Sequence, residues 1–373
     1  MVNPLVIESL SVRSFRNIER IDFEPAPRLN VLAGDNGQGK TSLLEAIYYL
    51  ATSRSFRAER MRELVREGDP TASVKASILE QAERREQRAA ISGGRRNLKL
   101  DGKTPERLSS YATRTPVVVF HPGDLQLGSG PASVRRTLLD RVSLYFEPIA
   151  MDHRQRFTRA SKERQRVLEE RGSDAPELDV FETLMARHGC HVQAAHRRAA
   201  ERLSSALGPA FQRMAAPDLV LGVRFAPGGC EDEAEFLQEL RSRRRADMRA
   251  RRPGFGPQKD ELELSIDGRS VRRHASQGQL RILTLALKLA ELECVREARQ
   301  AHPILLLDDV SSELDPERTG AVYRFVREAV CQVFVTTTRP ELFTTPDLEP
   351  GERLDWRLTG GVLSAVEGAA SAR

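Results

Sequence analysis

The sequence predicts an α/β head whose chain is interrupted by an inserted, mostly helical lobe. Three observations predict it. Near the start a strand, a glycine-rich loop and a helix follow one another: "RLNVLAG", then "GDNGQGKT", then "TSLLEAIYYLATS". Near the end "PILLLDD" is an apolar run closed by two acids, the pattern of a strand buried on both faces. Between them, from Ser133 to about Leu207, apolar residues recur every three, four or seven positions, the spacing of helices. The expected boundaries are residues 1–130 for the first part of the head, 131–255 for the lobe and 256–373 for the second part of the head.

The elements follow in order. "LVIESLSV" and "IDFEP" carry strand-like apolar residues ahead of the glycine loop. "ASVKASIL", "EQRAAIS" and "RRNLKLDGK" are short strands with a turn at Asp101–Gly102, and "TPVVVFHPGD" is a strand broken at Pro122–Gly123. "VRRTLLDRVSLYF" places Val134, Leu138, Val142 and Tyr145 on one helical face. A second helix, "HRQRFTRASKERQRVLEERG", is very polar and ends at the turn "RGSDAP". A third carries Met185, Val192, Ala195, Ala199 and Leu203, and Gly208–Pro209 is expected to stop it. The two read as a helical hairpin, too short for a long coiled-coil arm. Loops at Ala226–Gly229 and Arg251–Gln258 bracket another charged helix. The α/β pattern then resumes with "LELSI", the helix "QLRILTLALKLAELE", the strand "PILLLDD", the helix "PERTGAVYRFVREAV" and "QVFVTTT" as a last core strand.

Composition narrows the classes. At 373 residues the chain can fill two lobes with buried cores. Lys and Arg exceed Asp and Glu by only 5, so the placement of charge says more about partners than its sum. Cys190, Cys230, Cys294 and Cys331 are far apart with no CxxC pair, which argues against a zinc ribbon or a disulfide framework. "HGCH" (His188, Cys190, His191) lacks a second pair of ligands and spreads over several helix faces, so it is read as structural. No basic-flanked apolar leader is seen, and no run approaches the roughly 20 apolar residues of a membrane span. A cytoplasmic protein without a membrane partner is expected.

The pattern G-x-x-x-x-G-K-[ST] is met by Gly34, Gly39, Lys40 and Thr41 between a strand and a helix. Glycines let backbone N–H groups turn inward around phosphate oxygens, and the helix start adds its positive dipole end. Gly34, Asp35, Asn36, Gly37, Gln38, Gly39, Lys40, Thr41 and Ser42 are therefore expected to cradle a nucleotide triphosphate. Lys40 is expected at the β- and γ-phosphates, and the Thr41 hydroxyl on magnesium. Such a loop needs an acid at the end of a buried strand beside the loop strand. Asp308 is the expected magnesium acid, and Asp309 is expected to orient or deprotonate the attacking water. Gln126, after the "VVVF" strand, sits where a lid glutamine would contact magnesium and water; a solvent-facing glutamine in a turn fits the same position.

The loop and the acids are about 270 positions apart, unusually far for a compact nucleotide kinase or GTPase. "ASQGQLR" (Ala275–Arg281) resembles the signature motif of the ABC ATPase superfamily, and "SSELDP" (Ser311–Pro316) resembles its D-loop. In that class the signature faces ATP held by another subunit. The resemblance therefore implies that Ser276, Gly278 and Gln279 bind the γ-phosphate of a twin, giving an ATP-dependent homodimer. "FRNIERIDFEP", "HPGDLQLGSGPASVRRTLLD" and "GPQKDELELSIDG" join these motifs in order, from residue 15 to about 340. With them the sequence is identified as a member of the RecF family: ABC-type P-loop ATPase heads, similar to SMC heads without the long coiled coil. The resemblance implies ATP and Mg2+ as cofactors and slow, DNA-stimulated hydrolysis. It implies binding to single- and double-stranded DNA, especially gaps and junctions, in DNA repair, replication restart and the SOS response. RecO and RecR are the implied partners, RecA loading the implied outcome, and the nucleoid the implied place. The acid after Asp308 is an aspartate where the commoner pattern has glutamate, and Thr336 to Thr338 stand where many relatives of the class carry a histidine.

Several residues read two ways. Arg57 suits a phosphate or DNA contact, or a plain surface position; Arg135 and Arg136 face DNA or solvent. "RSRRRADMRARR", with seven arginines and one aspartate, suits salt-dependent phosphate contact or a solvated helix face. No aromatic residues interleave it, which favours duplex or junction backbone over stacked bases. Two other functions compete: the ATPase subunit of an ABC transporter, which predicts roughly half the observed loop-to-signature spacing, and an ATP-binding scaffold that does not hydrolyse.

Overall fold

The computed structural model describes residues 5–214, 219–309, 331–343 and 348–366. In chain order, β1 (Leu5–Phe15) and β2 (Ile18–Phe23) precede β3 (Leu29–Ala33), which leads through the glycine loop into α1 (Lys40–Thr52). β4 (Thr71–Glu80), β5 (Glu83–Ser92) and β6 (Arg95–Leu100) form a meander, followed by α2 (Leu108–Ala112) and β7 (Val117–Phe120). Helices α3 (Gln126–Ser129), α4 (Ala132–Phe146), α5 (Ile149–Arg171) and α6 (Glu177–Met214) come next. Then follow β8 (Leu221–Ala226), α7 (Glu233–Ser242), α8 (Arg244–Ala250), β9 (Glu261–Ile266), β10 (Arg269–Ser270), α9 (Val271–His274) and α10 (Gln277–Arg299). β11 (Ile304–Leu307), β12 (Val333–Thr337), β13 (Arg353–Thr359) and β14 (Val362–Ala365) close the described chain.

Contacts divide the chain into two compact units, Met1–Asp124 with Val295–Arg373, and Leu125–Cys294. The division falls elsewhere than at residues 131 and 255, because β9 pairs antiparallel with β8 along its whole length and draws the following residues into the second unit. That unit therefore carries a three-stranded sheet, β10-β9-β8, beside its helices.

The first unit holds two sheets. One is antiparallel, in the order β2-β1-β4-β5-β6; the other runs β14-β13-β3-β12-β11-β7. In the second, β3, β12, β11 and β7 are mutually parallel, and each is buried at every position. Parallel strands covered on both faces need such unbroken apolar runs. β4 instead alternates buried and open positions, as expected of a sheet with one wet face. Helix α1 is buried over nearly its whole surface and packs on strands of both sheets. Two expectations change here. β12 lies between β3 and β11, so the acid strand is not the immediate neighbour of the loop strand. "QVFVTTT" is not the last core strand, because β13 follows it and pairs parallel with β3. "SSELDP" and the helix after it lie outside the described residues.

The core of the second unit gathers Leu138, Leu139 and Val142 of α4, Leu203, Leu207 and Phe211 of α6, and Leu283 and Leu287 of α10. α6 does not stop at Gly208–Pro209 but runs on to Met214. A proline costs the helix one backbone bond, and the burial of Leu207, Ala210 and Phe211 around it offsets that loss. The polar helix α5 forms a hairpin with α6, and its Arg164 is fully buried between Glu182 and Asp247, at 2.9 and 2.7 Å. The basic run is split into α7 and α8 at Arg243.

Candidate active site

The site is built at the C-terminal end of β3. Gly34 has φ +152°, and a Cβ there would stand 2.5 Å from the carbonyl oxygen of Leu358 in β13, so only glycine fits. Gly39, at φ +111°, is the N-cap of α1, and no side chain caps that helix. The N–H groups of its first turn are left to an anion. The loop is braced from outside. Asn17 donates to the Gly37 carbonyl at 3.2 Å, and in the β13–β14 turn Gly360 and Gly361 donate backbone N–H groups to Gln38.

Lys40 donates to the loop's own carbonyls, Gly34 and Asp35. Burial pulls the Lys40 ammonium below its ordinary pKa, while Asp309, Asp308 and Asp35 act to hold it up. Across 267 positions of chain, the Thr41 hydroxyl donates to Asp308 Oδ1 at 2.8 Å. Thr336, at the end of β12, donates to the same oxygen at 2.9 Å and accepts the Asp309 N–H at 2.8 Å. Burial pushes the Asp308 carboxyl above its ordinary pKa, against these two hydroxyl donors and the positive charge of Arg57. A cavity of about 790 Å³ opens on the group, lined by Asp35, Gly37, Lys40, Thr41, Arg57, Asp309 and Thr336 among others.

The donor set fits a magnesium nucleotide. An uncapped helix start and a buried ammonium suit phosphate oxygens. A hydroxyl and a carboxylate 2.8 Å apart suit Mg2+, which takes one or two protein oxygens and keeps its waters. Thr336 in this role was not foreseen. No local pattern marks it, because the place of its strand between loop and acids is set by long-range packing.

The other expected residues stand in the second unit. Gln126 opens α3 and is exposed. Ser276 precedes α10, and its hydroxyl accepts the Gln279 N–H at 3.2 Å while the Gln279 side chain accepts the Ser276 N–H at 2.9 Å. This reciprocal capping box is what an S-x-x-Q sequence forms at a helix start. Gly278 lies in the first turn. Arg135 is buried on Glu261 at 2.7 Å, and Arg136 donates to the Asp260 carbonyl at 2.8 Å, so neither faces open solvent as a free cation. Of the basic run, Arg241, Arg243 and Arg244 are held by Asp179, Glu239 and Glu182, and Asp247 turns inward onto Arg164. His188 lies 3.1 Å from His153, and no group of three His, Cys, Asp or Glu is placed to hold a metal among the described residues.

The family model for the RecF/RecN/SMC N terminal domain matches residues 6–348. The DNA replication and repair protein RecF of Anaeromyxobacter sp. (strain Fw109-5) is 38% identical, over 96% of this chain and 98% of the relative. This chain belongs to the RecF family. Another RecF relative, from Myxococcus xanthus (strain DK1622), is 35% identical over 88% of this chain and 90% of its own. A solved RecF-ATP structure of the recombination mediator in the RecFOR pathway matches with TM-score 0.86 at 24% identity, covering 97% of this chain and 98% of that one. An Smc head domain from Pyrococcus furiosus matches at TM-score 0.55 and 16% identity, over 97% and 96%. The RecF-family chain thus has the fold of an ABC-type ATPase head. No helix among its described residues is long and apolar enough to cross a membrane.

Proposed function

We propose that this RecF-family chain is an ATP-gated DNA clamp of recombinational repair and replication restart. The observation that carries the reading is the meeting of Thr41, Asp308, Thr336 and Asp309 beside an uncapped, lysine-bearing helix start. The loop from Gly34 to Ser42 binds the phosphates of ATP through backbone N–H groups, and Lys40 swings from its own loop's carbonyls to the β- and γ-phosphates. Thr41 and Asp308 hold Mg2+, whose charge offsets that developing on the transferred phosphoryl group. Asp309 orients the water and takes its proton. Its short side chain reaches less far than a glutamate and suits slow turnover.

Ser276, Gly278 and Gln279 act on the nucleotide of a second copy, so ATP joins two heads and hydrolysis releases them. DNA, above all at gaps and junctions between single and double strands, favours the joined state and stimulates hydrolysis. RecO and RecR are the partners, RecA loading is the outcome, and the nucleoid in the cytoplasm is the place. Support comes from the relatives' names and from the RecF-ATP structure in the RecFOR pathway.

Light scattering with and without ATP and DNA tests the reading. The wild-type mass doubles with ATP; Lys40→Ala neither binds nucleotide nor doubles; Ser276→Arg binds nucleotide and stays single. Asp309→Asn binds, doubles and remains trapped on DNA. A chain that stays monomeric with saturating ATP and DNA refutes the clamp.

A further inference from the structure

We propose that Thr336 is a positioning residue for ATP hydrolysis, the link that fixes the magnesium-side acid and the water-side acid in one register. The inference rests on the site being an ATPase. Thr336 is fully buried at the end of β12, paired with Leu32 of the loop strand on one side, while the preceding Val335 pairs with Leu307 of the acid strand on the other. A threonine hydroxyl has one proton to give and lone pairs to receive. The proton goes to Asp308 Oδ1 at 2.9 Å, the Leu307 carbonyl being a longer alternative at 3.5 Å. A lone pair receives the Asp309 N–H at 2.8 Å. One oxygen therefore ties the side chain of the first acid to the backbone of the second.

Two further features make that tie matter. Thr41 also donates to Asp308 Oδ1, so both hydroxyls hold the same carboxylate oxygen and turn the plane of the group, leaving Oδ2 as the oxygen neither uses. Asp309 sits at φ +48°, a conformation side-chain-bearing residues seldom adopt, and its N–H bond to Thr336 holds it there. The hydroxyl is turned inward, toward the acids. Its neighbour Thr337 accepts the Arg339 N–H at 2.9 Å. Thr336 thus acts through Asp308 and Asp309.

The test compares Thr336→Val, which keeps the shape and loses the hydroxyl, with Thr336→Ser, which keeps the hydroxyl. In the nucleotide-free full-length chain, hydrogen exchange at the Asp309 amide rises in the valine variant and returns to the wild-type rate in the serine variant. With ATP, nucleotide Kd stays near wild type, kcat falls about 10–100-fold in the valine variant, and half-saturating Mg2+ rises; serine restores both. Wild-type exchange and kcat in the valine variant overturn the proposal. So does a kcat loss that serine fails to rescue and that tracks a lowered Tm, the mark of a packing defect. Wild-type chain that hydrolyses no better than Asp309→Asn would instead sink the ATPase reading, while the exchange measurement still reports whether the hydroxyl holds Asp309.

Discussion

His196 makes the stability of the second unit depend on alkaline pH. The residue is 3% exposed on α6, with Nδ1 2.7 Å from Asp260 Oδ2 and Nε2 3.2 Å from Asp140 Oδ1. Arg154 also meets Asp140, at 2.9 Å, and the other Asp260 oxygen accepts the Gly228 N–H at 2.8 Å. Burial works against the charged ring, but the bonds and charges of the two carboxylates outweigh it and hold the pKa at about 9 against an ordinary 6.5. At roughly 1.4 kcal/mol per pH unit, that rise corresponds to about 3 kcal/mol of folding free energy. The folded chain holds this proton more tightly than the unfolded chain. The stabilisation is therefore whole below pH 6.5 and is lost as pH climbs through about 9. Urea denaturation of wild type and His196→Gln at pH 6 and pH 10 isolates it, since the other groups titrate alike in both proteins. Wild type should exceed the variant most at pH 6, and the gap should shrink by about 3 kcal/mol at pH 10. A gap that does not change with pH would refute the charged bridge and leave His196 a neutral packing residue.

Three further outcomes are expected. Gly34→Ala meets the Leu358 carbonyl at 2.5 Å from a φ of +152°, so Tm falls and nucleotide binding is lost; normal binding with an unchanged Tm would show that the loop can yield. Glu291 of α10 is opposed by burial but held by Arg141 and Lys288 at 2.6 and 2.5 Å, which bring its pKa down to about 2 from 4.5. Its contribution is present above pH 4.5 and lost as pH falls toward 2, so wild type should lose more stability than Glu291→Gln between pH 5 and pH 3 in denaturant titrations. Arg244→Ala removes a charged partner from the buried Glu182 and should cost about 2 kcal/mol of stability while leaving the salt dependence of DNA binding unchanged. A stable variant with a shallower salt slope, measured by fluorescence anisotropy, would return Arg244 to the DNA face.

The strands β3, β11 and β12 were legible because burial on both faces forces unbroken apolar runs, and the glycine loop because its spacing is tied to phosphate geometry. Strand order was not. Which strand separates Gly34 from Asp308 is fixed by packing between segments about 300 residues apart, and no local pattern records it. β13 was missed because "RLDWRLT" is largely half-buried and mixes charge with apolar residues. Arg135 read as facing DNA or solvent because its partner Glu261 lies 126 positions away, and nothing in its polar helix marked Arg164 for burial against Glu182 and Asp247, 18 and 83 positions away. In the basic run, the partners of Arg241 and Arg244 on α6, Asp179 and Glu182, lie about 60 positions upstream, whereas Glu239 stands four residues before Arg243.

The order of strands also sets a timetable. The neighbours of β3 are β12 and β13, so during synthesis the loop strand waits for Val333, 300 positions after Ala33, before its first ladder can form. The second unit is one uninterrupted stretch, residues 125–294, and can close on itself while the ribosome is still translating. Polypeptides released early would carry every glycine of the phosphate loop and the antiparallel sheet, but not the parallel sheet that seats the loop strand. Under the proposed function, only nearly finished chains would hold the parallel sheet that carries the nucleotide site.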